Sequence, residues 1–507
     1  MESATLTSPR PERGFFARLK AAPERAWARA GFALLCVGAL IAYVVYPTYP
    51  NYDSAYALVW GRELLHGTAP SFDAYRAPTE HPLAVGVGAL VSLLGGSVAP
   101  HVWLLLTVAA FCLLIAGIYR LGRAAFGAWV GLVAALLVLS RLDYAFLAAR
   151  GYIDVPYLAL IAWAAAKETE RWRRGGVVWV LLALAGLLRP EAWLLLGAYW
   201  LWIAWPVRRQ WRANARALVQ TAAYAALAPV VWVLVDWSAT GHPLFSLQHT
   251  SSLANDLQRT KPASQAPSFA FHSLDSTLKW PVLIGALAGV VLALVYARRR
   301  AAILFALAAS GLITFFAIAV AGLSVIDRYL AASALALLVF AGFAIAGFTV
   351  LDRAHPARRA WIVVACVVAL GGAAFTATHL HPGYIDRELT TRRELRQELA
   401  RDVTSPAVAA ARARCGATIS VPNHKLIPDV RWILHAGQDA VVARSSLRDF
   451  GATAKGVQVF VTGAGMLTNS TYGPFVPGSR DDARIQIPGP GLRLISRSPH
   501  FLAYASC

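Results

Sequence analysis

Five short polar motifs interrupt an otherwise apolar chain: Asn51-Tyr52-Asp53, Glu80-His81-Pro82, Arg150-Gly151-Tyr152-Ile153-Asp154, Arg189-Pro190-Glu191 and Asp327-Arg328-Tyr329. Guanidinium forks match phosphate oxygens, so arginines converging from several segments suit a phosphate held at a membrane surface. A carboxylate such as Asp53 can accept the proton of an incoming hydroxyl. Fixed positive charge on a phosphate leaving group is electrostatic catalysis, and one lost donor typically costs ~10²–10³ in rate. The chemistry these residues suggest is transfer of a group from an anionic lipid, with apolar helices sheltering the lipid tail.

Each motif also has a plainer reading. Asp53 can cap the helix that begins near Ser54. Arg189 and Glu191 can close a tight turn as a local ion pair. Arg328 and Tyr329 can mark a membrane boundary, where such side chains snorkel. Arg150 and Asp154 are four residues apart, so on one continuous helix they would share a face and form a salt bridge. Glu80 and His81 are either loop-end structure or part of a metal site, although adjacent residues lack metal-ligand spacing.

The elements that must position these residues are membrane helices. The 507-residue chain is 57% hydrophobic and 15% charged, too apolar for a soluble protein of this size. Uninterrupted apolar blocks cover 30–47, 101–119, 124–140, 152–167, 219–237, 280–296, 301–323, 330–350 and 361–378. Each is roughly 16–22 residues long, enough for a helix to cross a ~30 Å hydrocarbon core. None has the alternation of a barrel strand. The net charge of +20 sits in short clusters between these blocks, as the positive-inside rule expects of cytoplasmic loops, which argues against nucleic acid.

Those clusters set a topology. Basic groups at the N-terminus, Arg120/Arg123, Arg171–Arg174, Arg208–Arg216, Arg298–Arg300 and Arg353–Arg359 share one side only if the crossings between neighbours are even in number. The short segment 82–96 is therefore a juxtamembrane or re-entrant helix that does not cross. The block 177–205 is two short helices meeting at Arg189-Pro190-Glu191, where proline removes a backbone donor and breaks the helix. About eleven crossings result, with the N-terminus in the cytoplasm of a plasma-membrane protein. All five polar motifs then lie at the outer face, where ionisable groups are costly unless they serve a purpose. The outer loop 238–279, with His242, Gln248 and His249, is long enough for a lid or horizontal helix.

From about residue 379 the composition changes. A charged helix over 384–413, broken near Ser405-Pro406, precedes β-like runs at 417–421, 440–443, 457–462, 484–487, 492–495 and 501–505, with a helix at 428–436. The expected organisation is a basic segment (1–29), a transmembrane catalytic part (30–378) and a small extracytoplasmic α/β domain (379–507). Cys36, Cys112 and Cys366 fall in membrane helices as small apolar residues, whereas Cys415 and Cys507 bracket the domain's strands and predict an outer-face disulfide. Asn469-Ser470-Thr471 matches a glycosylation sequon.

In their order and common sidedness, Asn51-Tyr52-Asp53, Glu80-His81-Pro82-Leu83, Arg150…Asp154, Leu188-Arg189-Pro190-Glu191 and Asp327-Arg328-Tyr329-Leu330 resemble the GT-C superfamily of membrane glycosyltransferases. The nearest likenesses are the bacterial aminoarabinose transferases and protein O-mannosyltransferases. The resemblance covers roughly residues 30–350. It implies a sugar, mannose or another hexose or pentose, carried on a polyprenyl-phosphate donor. It implies Asp53 as catalytic base and Arg150, Arg189 and Arg328 as donor-phosphate ligands, with Glu80, His81, Asp154, Glu191 and Tyr329 in support or at the acceptor. The sequence departs from the family in having Glu80-His81-Pro82 where paired prolines are common, and in lacking a second acid beside Asp53. The latter points from a protein acceptor towards a lipid or glycan. A divalent ion stays open as a cofactor. The competing classes are a lipid-linked-sugar transporter or flippase, which should show internal repeats and midplane polar residues, and an inactive membrane scaffold.

Overall fold

The computed structural model describes residues 15–257, 259–260, 262–323, 325–379, 381–446, 455–463, 466 and 487–507. The sequon at 469–471 and most of the expected strand at 484–487 lie outside the described residues. The apolar blocks fold as helices. Among the described residues six helical stretches are long and apolar enough to cross a membrane, among them Ala99–Phe126, Ala215–Thr240, Ala302–Val320 and Asp327–Val350. Two bent pairs bring the number to eight: Ala128–Leu139 with Leu142–Ala149 at 60°, and Ala263–Leu278 with Trp280–Tyr296 at 107°. Asp154–Glu170, Val177–Leu188 and Ala192–Ala204 hold 17, 12 and 13 residues. The last two are each ~18–20 Å long, shorter than the hydrocarbon core.

Where these helices break is written in local chemistry. Arg189 precedes a proline and is extended, at φ −149°, ψ 129°, because a following proline disfavours the helical region. Pro82–Ser92 has 11 residues, ~16 Å of helix, and packs on Tyr52–Leu65. The two backbones touch: a Cβ on Gly88 would lie 2.2 Å from the Ala57 carbonyl oxygen.

The helix Ala99–Phe126 separates two unlike ends of the bundle. Near its start the Trp103 indole donates to the Gly151 carbonyl (3.0 Å). Near its finish Arg120 pairs with Glu170 and Arg123 with Glu24. The 17 residues between Trp103 and Arg120 span ~25 Å, so the polar motifs and these basic clusters occupy opposite ends.

At the C-terminus, helices Pro382–Val403 and Pro406–Cys415 lead into a five-stranded sheet. Its strands are β1 (Ile419–Val421), β2 (Val441–Ala443), β3 (Gly456–Val461), β4 (Arg493–Arg497) and β5 (Phe501–Ser506), in spatial order β2-β1-β3-β5-β4. The helix Ile427–Leu434 makes the crossover between parallel β1 and β2. β5 runs antiparallel to both β3 and β4, and a disulfide joins Cys415 to Cys507.

This sheet shares a core with the loop after the first membrane helix. Tyr56, Trp60 and Phe72 pack in one buried cluster with Val408, Ile419, Val459 and Phe501. Arg431, fully buried, bonds the Glu63 carboxylate and, at 2.9 Å, the Ser71 hydroxyl. Arg62 returns two bonds to the Arg431 and Trp432 carbonyls, and the Trp432 indole donates to the Gly96 carbonyl.

Candidate active site

The helix Tyr52–Leu65 starts with Asn51, whose side-chain oxygen accepts from the Ser54 amide at 2.9 Å. Capping therefore belongs to Asn51, and the Asp53 carboxylate in the first turn is left to face the cavity, 22% exposed. The helix N-terminus favours its negative charge. Its flanks are tied to a second turn: the Asn51 amide donates to the Arg150 carbonyl (2.8 Å) and the Ser54 hydroxyl to the Gly151 carbonyl (2.5 Å). Gly151 takes a left-handed φ of 72°, which ends one helix at Arg150 so that another begins at Asp154. Arg150 and Asp154 thus do not share a helix face. Asp154 turns inwards, while Arg150 lies over the Tyr49, Phe146 and Tyr152 rings.

Five of the sequence-derived residues meet in an alternating chain of charge. Arg328 Nη1 lies 3.4 Å from Asp53 Oδ2 and 3.5 Å from Asp154 Oδ2. Arg189 Nη1 lies 2.7 Å from Asp154 Oδ1, and its Nη2 and Nε reach Glu191 Oε1 at 2.8 and 3.2 Å. The two arginines differ in environment. Arg189 is 6% exposed and held by short bonds, whereas Arg328 is 33% exposed and held at long range. Arg328 stands on the turn Asp327–Leu330, which Ser273 fixes by a 2.6 Å bond to Asp327. The Tyr329 ring lies 5.8 Å from the Arg189 guanidinium.

These groups open into a cavity of about 900 Å³. Leu194, Ile313, Ala317 and Ile318 give it an apolar wall, and the helix Phe245–Asp256 covers it with Ser246, Leu247 and Thr250. The covering helix is held by Thr250 to Thr79 (2.8 Å) and by His249 to the Ala77 carbonyl (2.9 Å). Arg150 lines the cavity, donates to the Tyr152 hydroxyl at 3.2 Å, and has a buried Nε without a hydrogen-bond partner.

Glu80 and His81 separate. His81 lines the cavity edge-on to Trp232. Burial, then the Arg189 and Arg328 charges, hold its imidazole down at about 3, so it is neutral at ordinary pH. Glu80 is wholly buried in a separate knot in which the Ser246 hydroxyl bonds its carboxylate and both oxygens of Asp236 (2.7 Å each). Burial, then the adjoining Asp236 carboxyl, pushes Glu80 up to about 9. Among the described residues no group of three or more His, Cys, Asp or Glu side chains is gathered to hold a metal ion.

Several cavity residues escaped sequence reasoning. Asp236 was readable as an acid near the end of an apolar span. Arg259, Arg392, Arg396, His424 and Lys425 also line the cavity, and their sequence neighbourhoods resemble ordinary solvated surface.

No protein-family model matches the sequence, and no curated protein sequence matches it. Solved structures match over most of the chain. ArnT from Cupriavidus metallidurans bound to undecaprenyl phosphate aligns at 14% identity over 94% of this chain and 98% of its own, with TM-score 0.56. Its apo state aligns at 14% identity over 95% and 98%, with TM-score 0.58. The Archaeoglobus fulgidus oligosaccharyltransferase, apo form, aligns at 10% identity over 83% of this chain and 65% of its own, with TM-score 0.51. At such identities the likeness is one of architecture: the chain has the fold of the GT-C membrane glycosyltransferases.

Proposed function

We propose that the protein is a membrane glycosyltransferase that takes a hexose or pentose, with mannose the first to test, from a polyprenyl-phosphate donor. It passes the sugar to a hydroxyl of a lipid or glycan acceptor. The observation that carries this reading is the meeting of Asp53 and Arg328, 3.4 Å apart, in a cavity with one apolar wall. Asp53 accepts the acceptor's proton while the new C–O bond forms at the anomeric carbon and the bond to the phosphate oxygen breaks. The phosphate departs onto Arg328, whose long contacts to Asp53 and Asp154 leave it able to turn to a ligand, and onto Arg150. Arg189, clamped between Asp154 and Glu191, is a positioning residue that keeps Asp154 in place behind Arg328. His81 and Tyr329 pack the same wall, and the Glu80 knot anchors the covering helix.

In this reading the site belongs to the extracytoplasmic face and the N-terminus to the cytoplasm. The separation of the cavity from the Arg120/Arg123 end supports this, as does a disulfide suited to an oxidising compartment. The test is transfer of labelled sugar from synthetic polyprenyl-phosphate donors by the purified protein. Asp53→Asn should slow turnover by ~10²–10⁴. Undiminished turnover would remove Asp53 from the mechanism, and no transfer from any such donor would remove the reaction.

A further inference from the structure

The short helices Val177–Leu188 and Ala192–Ala204 form a hairpin with charge at both ends. At one end Arg189 and Glu191 line the cavity. At the other, the flanking segments 171–176 and 205–216 hold seven arginines and no aspartate or glutamate. The helix Ala192–Ala204 continues as the tighter turn Trp205–Gln210, which carries Arg208 ~28 Å from the Ala192 end. That is about one hydrocarbon thickness. Glu170, bonded to Arg120 and 3.8 Å from Arg174, puts this end beside Arg120 and away from the cavity.

Local contacts fix these arginines on indole rings. The buried Glu168 carboxylate accepts from the Arg173 and Arg174 amides, the Tyr199 hydroxyl (2.9 Å) and the Trp202 indole (2.8 Å). These bonds pin the loop after Glu170 to the last turn of Ala192–Ala204. The Arg173 guanidinium then lies over the Trp202 ring at 4.2 Å and donates to the Trp202 carbonyl at 3.2 Å. Arg208 lies over the Trp205 ring at 4.2 Å and donates to the Trp205 carbonyl at 2.8 Å. Arg212 lies 5.4 Å from the centre of the Trp211 ring.

The acids on this end are already engaged. Glu168 holds the loop, and Glu170 takes Arg120, Lys167 and Arg174. Among the described residues Arg171, Arg173, Arg208, Arg209 and Arg212 form no ion pair, and all five are exposed. Even with the Glu168 charge set against one of them, four remain. The Trp172, Trp205 and Trp211 rings are exposed beside them, and indoles favour the headgroup level of a bilayer.

We propose that this patch binds the headgroup of an anionic phospholipid. Arg173, Arg208 and Arg212 supply guanidinium forks for its phosphate, and Trp205 and Trp211 pack at the depth of the headgroup and upper acyl carbons. A zwitterionic lipid offers the same phosphate but brings its own cation, so unpaired positive charge selects the anionic one. The lipid seats the hairpin whose opposite end carries Arg189. None of this depends on the glycosyl-transfer reading.

For the test, the full-length protein in detergent is titrated with phosphatidylglycerol or phosphatidylcholine of the same acyl chains, and retained lipid is counted by native mass spectrometry. The wild type should hold at least one phosphatidylglycerol about tenfold more tightly than phosphatidylcholine, and the triple variant Arg173→Gln, Arg208→Gln, Arg212→Gln should bring the two within about twofold. Arg208→Glu alone, on the exposed turn outside the loop held by Glu168, should weaken phosphatidylglycerol with an unchanged lipid-free melting temperature, which separates lost binding from lost folding. Arg298→Gln, Arg299→Gln and Arg300→Gln together remove the same charge from a separate basic cluster and should leave the tight lipid in place. The proposal is overturned if the wild type holds both lipids equally, if the first triple variant keeps the preference, or if the second abolishes it as fully.

Discussion

Arg189 gives the sharpest test of how the site is held. Its guanidinium is almost wholly buried and has two carboxylate partners, Asp154 at 2.7 Å and Glu191 at 2.8 Å. Asp154→Asn or Glu191→Gln alone removes one charge but leaves the other to neutralise the cation. Each should cost about 1.5–3 kcal/mol, the usual worth of a hydrogen bond to a charged group. Making both changes strands a buried cation with no counter-charge. Removing a buried partner outright costs about 3–5 kcal/mol, and here that comes on top of the first loss. The double variant should therefore exceed the sum of the singles by about 1–3 kcal/mol. Reversible denaturation of the four proteins in one detergent measures this coupling. Additivity within about 0.5 kcal/mol would mean that solvent reaches Arg189, and the reasoning about its clamp would be wrong.

Gly151→Ala should loosen the joint between the two acid-bearing turns. The residue has φ 72°, and an added Cβ would lie 3.0 Å from the Trp103 ring, so a loss of about 1–3 kcal/mol is expected. Turnover should fall more than donor binding, which a kcat and KM comparison would read. Glu80 stays protonated in the fold up to about 9 but ionises near 4.5 when unfolded. Its contribution to stability is therefore full below pH 4.5 and declines as pH rises to about 9. Glu80→Gln should remove that slope, and parallel melting-versus-pH curves for the two proteins would contradict it.

The bundle was legible because lipid leaves the chain so few options. Every apolar block had to satisfy its own backbone, and every block formed a helix. The break at Pro190 was legible from one residue's geometry. Asp53, Asp154, Arg189, Glu191 and Arg328 were found because ionisable groups at the ends of apolar helices are conspicuous. Arg392, Arg396 and Lys425 were not, because on a charged amphipathic helix and its following turn a cavity-facing arginine looks like one facing water. Their placement depends on contacts hundreds of residues away in sequence. The plainer reading of Asp53 as the cap gives way to Asn51, a residue type that accepts amide bonds equally well. The Arg150–Asp154 pairing expected for a continuous helix fails for a simple reason. Gly151 bends the chain between them.

The bond between Glu63 and Arg431 joins residues 368 positions apart, which has a bearing on biogenesis. The chain must be extended 368 residues beyond Glu63 before that carboxylate can meet its cation. Until then the aromatic face of Tyr56, Trp60 and Phe72 waits uncovered, and the chamber above Asp53 lacks its roof. A chain that stops short of residue 392 therefore leaves Glu63 without its cation and the cavity without Arg392, Arg396 and Lys425.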